Sequence, residues 1–122
     1  FELEIDYTFY DKEGNIISEG LAIQEVTPLP EEFALYANYP NPFNPTTTFA
    51  YDLPSDSQVR IVIYDVMGRE VVRLADQEIA AGRHTVKWNA KNANGTRIAP
   101  GVYFYQIQAE GFVRTRKMIL LK

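Results

Sequence analysis

The chain has no cysteine and a single histidine, His84. The missing cysteine excludes disulfides, thiolate nucleophiles and cysteine-ligated metals. No Gly-x-Ser-x-Gly, glycine-rich phosphate loop or His-Glu-x-x-His sequence is present. The local signatures of acyl transfer, nucleotide binding and zinc hydrolysis are therefore missing. His84 lies in a strand pattern that begins beside Gly82 and reads as an ordinary surface or strand residue. Catalysis needs a nucleophile, a base and an orienting group in convergent geometry. No such set is legible, and a non-enzymatic, cofactor-free chain is expected. No apolar run approaches the about 20 residues that a membrane-crossing helix needs. No stretch carries a sustained, capped 3.6-residue apolar period, so long amphipathic helices are not expected. The residues from Phe1 onward lack a signal-peptide pattern, so targeting is expected to be read from elsewhere.

What is present points to strands. Of the 122 residues, 46% are apolar and 13% aromatic, with 8 Tyr and 7 Phe. That suffices for one core, and the aromatic content favours sheets. Charge is divided unevenly. Residues 1–32 hold nine acids and one base, a net charge of −8, whereas residues 33–122 hold seven acids and eleven bases, a net charge of +4. The shift falls where Thr27, Pro28, Leu29, Pro30, Glu31 and Glu32 read as a linker. Two readings fit this division: separately solvated surfaces of opposite sign, or an acidic N-terminal piece that docks on a basic face.

Residues 2–10 and 15–26 alternate as a β-hairpin about the turn Asp11-Lys12-Glu13-Gly14-Asn15. A lone hairpin is marginal in water, so these strands are expected to pack on something else. Beyond the linker, the run Tyr39-Pro40-Asn41-Pro42-Phe43-Asn44-Pro45-Thr46 cannot be helix or central strand, because proline fixes φ and has no N–H to donate. It is expected to be a stiff, extended lead-in. Strands are expected over Thr46–Leu53, Val59–Tyr64, Glu70–Leu74, Arg83–Asn89, Gly101–Ala109 and Phe112–Leu121. Gly101–Ala109, apolar on both faces, is expected at the centre of a sheet. Together with Phe33–Tyr36 this makes about seven strands with turn signals between them. The fold class is all-β: an immunoglobulin-like antiparallel β-sandwich preceded by an N-terminal hairpin. The expected organisation is a hairpin over residues 1–26, the end of a preceding domain or a spacer; a linker over 27–33; and a sandwich over 34–122.

Three smaller motifs have plain readings. Asp11 to Asn15 spaces oxygen ligands like the start of a calcium loop. Its glycine, however, falls at position four rather than six, and Ala22 stands where the closing Glu belongs. Asn94-Gly95-Thr96 matches a glycosylation sequon but reads first as turn geometry. Arg114, Arg116, Lys117 and Lys122 cluster at the end of the sequence. They could protect a sheet edge from aggregation or form a recognition tag. Scattered bases on an acidic chain argue against nucleic acid.

Several stretches, taken in order, resemble a known family. They are Tyr39 to Thr46, Tyr51-Asp-Leu-Pro54, Val62-Ile-Tyr-Asp-Val-Met-Gly-Arg-Glu-Val71, Ala81 to His84 with Trp88, Gly101-Val-Tyr-Phe-Tyr105, and Thr115 to Lys122. The pattern is similar to the C-terminal sorting domain, type A, of the bacterial type IX secretion system. The resemblance covers about residues 33–122. It implies an immunoglobulin-like sandwich attached to secreted cargo, which passes through the periplasm to the cell surface or the medium. The implied partners are the outer-membrane translocon, its shuttle and sortase proteins, and an upstream cargo domain. The implied recognition residues are Pro40, Asn41 and Pro42; Gly101, Val102 and Tyr103; and Lys117, Met118, Ile119, Leu120, Leu121 and Lys122. The last strand, as an edge flanked by cations, could be read by strand addition. If the domain is cleaved, Thr27 to Glu32 is the candidate site.

The proline run and the Ile-Tyr-Asp-x-x-Gly hairpin also resemble the immunoglobulin-like domain of the flagellar hook-capping protein. Two other functions compete with sorting. One is a structural or adhesive surface module, self-associating through the N-terminal hairpin. The other is a carbohydrate-binding module using Trp88 and the tyrosines.

Overall fold

The computed structural model describes the backbone of residues 2–25 and 28–121 and the side chains of residues 8, 10–15 and 28–121. Phe1, Val26, Thr27 and Lys122 thus lie outside the described residues. Period-two alternation is realised as strands, and no helix occurs among the described residues. β1 (Glu2–Tyr10) and β2 (Ile16–Glu25) form an antiparallel two-stranded sheet of their own. β3 (Ala34–Leu35), β4 (Thr47–Leu53) and β7 (Gly82–Trp88) form a second sheet in the order β3-β4-β7. The third contains β5 (Ser57–Tyr64), β6 (Glu70–Ile79), β8 (Gly101–Ala109) and β9 (Phe112–Leu120) in the order β6-β5-β8-β9. All strand pairs are antiparallel. The seven strands β3–β9 are the expected immunoglobulin-like sandwich.

The two larger sheets bury their facing side chains against each other. Phe49, Tyr51 and Leu53 of β4 meet Val59, Ile61 and Ile63 of β5 and Tyr105 and Ile107 of β8 in one cluster. The rings of Phe49 and Tyr105 lie 4.5 Å apart across the layers. β8 sits between β5 and β9, the central place its apolar faces required. β6 runs to Ile79, five residues beyond the expected Leu74. Asp76, Gln77 and Glu78 hide that extension from an apolar-alternation reading. They lie on an exposed outer strand, where backbone pairing to Ser57–Ile61 is enough to hold them.

Three turns share one construction. In Asp11–Asn15, Asp65–Arg69 and Asn92–Thr96 the first side chain accepts N–H bonds from residues two and four further on. The fourth residue is glycine with φ of 87°, 80° or 78°. This is the Asx-turn preference combined with the left-handed conformation that glycine adopts without strain. The Asp11 carboxylate is thereby engaged by its own turn and by the Asn15 side chain.

Candidate functional site

The proline run does not lie free on the surface. Asn38 fixes its start: the buried side-chain NH2 donates to the Pro40 carbonyl at 3.2 Å and to Thr47 Oγ1 at 2.9 Å. The Asn38 N–H donates to the Tyr105 hydroxyl at 2.9 Å, and that hydroxyl donates to the Tyr36 carbonyl at 2.8 Å. Burial raises the Tyr105 pKa, while the Asn38 hydrogen bond works in the opposite direction. Tyr39 and Thr48 exchange backbone bonds. The peptides preceding Pro40, Pro42 and Pro45 are cis. Phe43 is 1% exposed, and its ring packs 5.9 Å from that of Trp88.

Phe43 then joins the run to β9. Its N–H donates to the Ile119 carbonyl at 3.0 Å, and its carbonyl accepts from Leu121 N–H at 2.8 Å. The Asn41 side-chain oxygen accepts from Ile119 N–H at 3.0 Å. The outer edge of the chain at residues 119–121, the end of β9 and the residue after it, is therefore closed by the proline run. The last strand has its expected place at the sheet edge, with this end covered by the run. On its inner side β9 pairs with β8, placing Gly101 opposite Leu120, Val102 opposite Ile119, and Tyr103 opposite Met118.

Three segments separated widely in sequence therefore meet at one corner. They do not contribute alike. Met118 is 0% exposed, and Tyr103 and Leu120 are also buried. These three point between the sheets, and the Tyr103 hydroxyl donates to the Ala99 carbonyl at 2.6 Å. They hold the corner together and are closed to a partner. Pro40, Asn41, Pro42 and Lys117 are exposed, Leu121 is half exposed, and Val102 and Ile119 are partly so. Lys117 lies opposite Phe104 in register, next to the Val102–Ile119 pair. The outward face thus combines apolar side chains with one ammonium group, beside a rim of prolines. Phe43 and Phe104 join the corner although neither was singled out from the sequence. The prolines on either side of Phe43 were the available signal.

Other candidates resolve simply. Trp88 is 4% exposed, and its indole N–H donates to the Lys91 carbonyl at 2.9 Å. A buried ring bonded in this way cannot stack on a sugar, which removes Trp88 from the residues that carbohydrate binding would use. His84 bonds through Nε2 to the Ala80 carbonyl at 2.7 Å and stacks on Tyr51. Asn94 is exposed in its Asx turn. Within the expected linker, Pro28, Leu29, Glu31 and Glu32 are exposed but Pro30 is buried. Phe33, at its end, stacks on Phe112.

Residues 41–111, more than half of the chain, match the family model of the FlgD Ig-like domain. Among solved structures, dimeric latent PorU from Porphyromonas gingivalis is similar over 98% of this chain and 12% of its own, with 21% identity and a TM-score of 0.58. PorZ is described as an essential bacterial surface component of the type-IX secretion system of Porphyromonas gingivalis. It is similar over 74% of this chain and 11% of its own, with 24% identity and a TM-score of 0.50. FlgD from P. aeruginosa aligns over 62% of this chain and 60% of its own, with 28% identity and a TM-score of 0.49. The PorU and PorZ likenesses establish a shared fold, and the chain spans only about an eighth of either protein. A search of curated proteins found no match.

Proposed function

This chain belongs to the family of FlgD Ig-like domains, and from that premise we propose that its sandwich is a non-enzymatic sorting domain. It would direct attached cargo through the type IX outer-membrane translocon to the cell surface or medium. One observation carries the reading. The Pro40–Pro42, Gly101–Tyr103 and Lys117–Leu121 segments, which the sorting-domain resemblance marks for recognition, assemble into one corner. A receptor could engage all three at once. A similar fold in PorZ, a component of that system, is consistent with the proposal.

The recognition residues in this reading are the outward ones: Pro40, Asn41, Pro42, Val102, Lys117, Ile119 and Leu121. Buried Tyr103, Met118 and Leu120 shape the corner from beneath. The test is a periplasmic reporter fused to the whole chain in a host that carries the secretion system. Lys117→Glu and Ile119→Glu should leave the reporter in the periplasm. Lys87→Glu, an exposed change on the other sheet, should export like the parent. Equal export by all three variants contradicts recognition at this corner.

A second reading, a structural or adhesive surface module, is favoured by the separate β1–β2 sheet, which pairs with no other strand among the described residues.

A further inference from the structure

The part of β9 that the proline run leaves open carries its own message. Ile119 directs its N–H and C=O outward, to Asn41 and Phe43. Backbone groups alternate sides along a strand paired in antiparallel fashion. Lys117, Thr115 and Val113 therefore direct theirs to the same outer side. Among the described residues no backbone group pairs with them there; only the Arg114 guanidinium reaches the Val113 carbonyl, at 3.2 Å. Beside this open edge runs a groove of about 330 Å³ lined by Phe33, Leu35, Tyr36, Phe112, Arg114 and Arg116. Arg116 is tied to the Leu35 carbonyl at 2.7 Å, and the Arg114 guanidinium lies over the Phe112 ring. The two arginines thus line the groove from an exposed strand, and no ion pair to either occurs among the described residues.

The same chain holds an edge of opposite sign. Among the described residues β1 pairs with β2 on one side only. Its sequence places Glu2, Glu4 and Asp6 at alternate positions, with Leu3, Ile5 and Tyr7 between them. A two-stranded sheet is marginal alone and gains most from a third strand.

We propose that the open Val113–Lys117 edge of one copy takes the acidic β1 strand of a second copy by strand addition. Outward backbone groups of β9 pair with the free edge of β1. Period-two spacing aligns the acids of β1 with Arg114 and Arg116, as cross-strand neighbours of opposite charge. The contact is heterologous, because the surface donated differs from the surface accepted, so copies continue into chains or close into rings. This inference goes beyond the sorting reading and does not rest on it.

Sedimentation velocity of the full chain over a concentration series is the test, with circular dichroism as a check on folding. The parent should self-associate, and less so as salt rises. Arg114→Glu with Arg116→Glu should weaken association by about tenfold or more, as should Glu2→Lys, Glu4→Lys and Asp6→Lys combined. Mixing these two charge-reversed chains should restore association between them. Thr115→Pro gives a second readout: it deletes one outward N–H, spares the β8 ladder and should weaken association at unchanged charge. A parent that stays monomeric throughout overturns the proposal and leaves the edge to another occupant. Association that none of these changes affects, or charge-reversed chains that fail to associate when mixed, overturns it as well.

Discussion

Removing the side chain of Met118 separates two meanings of the terminal segment. As a displayed tag, Lys117–Leu121 would tolerate truncation without loss of fold. The structure instead places Met118 at 0% exposure between the sheets, with Leu120 at 5% two residues on. Met→Ala at such a site costs about 2–5 kcal/mol, through lost transfer energy and the cavity left behind. A domain of this size holds only about 5–15 kcal/mol in total. A loss of 2 kcal/mol already lowers Tm by roughly 8–16 °C in a domain of this length. Lys117→Ala, one residue earlier and exposed, should stay within about 0.5 kcal/mol of the parent. The assay is urea and thermal denaturation of the full chain, followed by circular dichroism. Met118→Ala should melt far below the parent and Lys117→Ala beside it. If the two variants melt together, the tail is not part of the core. The same numbers bear on deletion of residues 117–122. That change removes two buried side chains, the pairing with Gly101–Phe104 and the Phe43 bridge. Lost export in such a deletion would report unfolding rather than loss of a recognition tag.

Two further outcomes follow from hydrogen bonding. Tyr105→Phe leaves the buried Asn38 N–H and the Tyr36 carbonyl without their hydroxyl partner, at a cost of about 1–3 kcal/mol by urea denaturation. Because burial raises the Tyr105 pKa, its contribution holds below about pH 10 and is lost as pH climbs through the raised folded value. The variant should therefore show a shallower alkaline fall in Tm; an unchanged fall and unchanged stability would contradict the assignment. At the other extreme, the Arg69 N–H bond first, then the Arg69 side chain, lowers the Asp65 pKa. That contribution is present above the unfolded value of about 3.9 and is lost as pH falls through the lower folded one. Asp65→Asn should be less stable than the parent at pH 7, with the gap closing on acidification; a constant gap would rule out the ionised carboxylate as its source.

Local features of this fold were legible because local chemistry decides them. Alternation in Phe49-Ala50-Tyr51-Asp52-Leu53 marks a half-buried strand wherever it occurs. Asp65-Val66-Met67-Gly68 specifies its turn through one carboxylate and one glycine. The remaining features depend on partners distant in sequence. Nothing near Asn41 announces a bond to Ile119, 78 residues away. The terminal cations drew attention to Lys117 while the core role of Met118 and Leu120 stayed hidden, because an edge strand and a tag share one composition. The extension of β6 escaped notice because pairing at an exposed edge needs backbone and no apolar pattern. The corner could be assembled only once the sheet order placed β8, β9 and the proline run together.

In the proposed function this sandwich carries attached cargo across the outer membrane. The most direct measurement compares one reporter, fused to the unaltered 122-residue chain, in matched hosts with an intact and a disabled type IX translocon. A sorting domain places the reporter at the cell surface or in the medium of the first host, and in the periplasm of the second. Reporter confined to the periplasm of both, or exported equally by both, would contradict it.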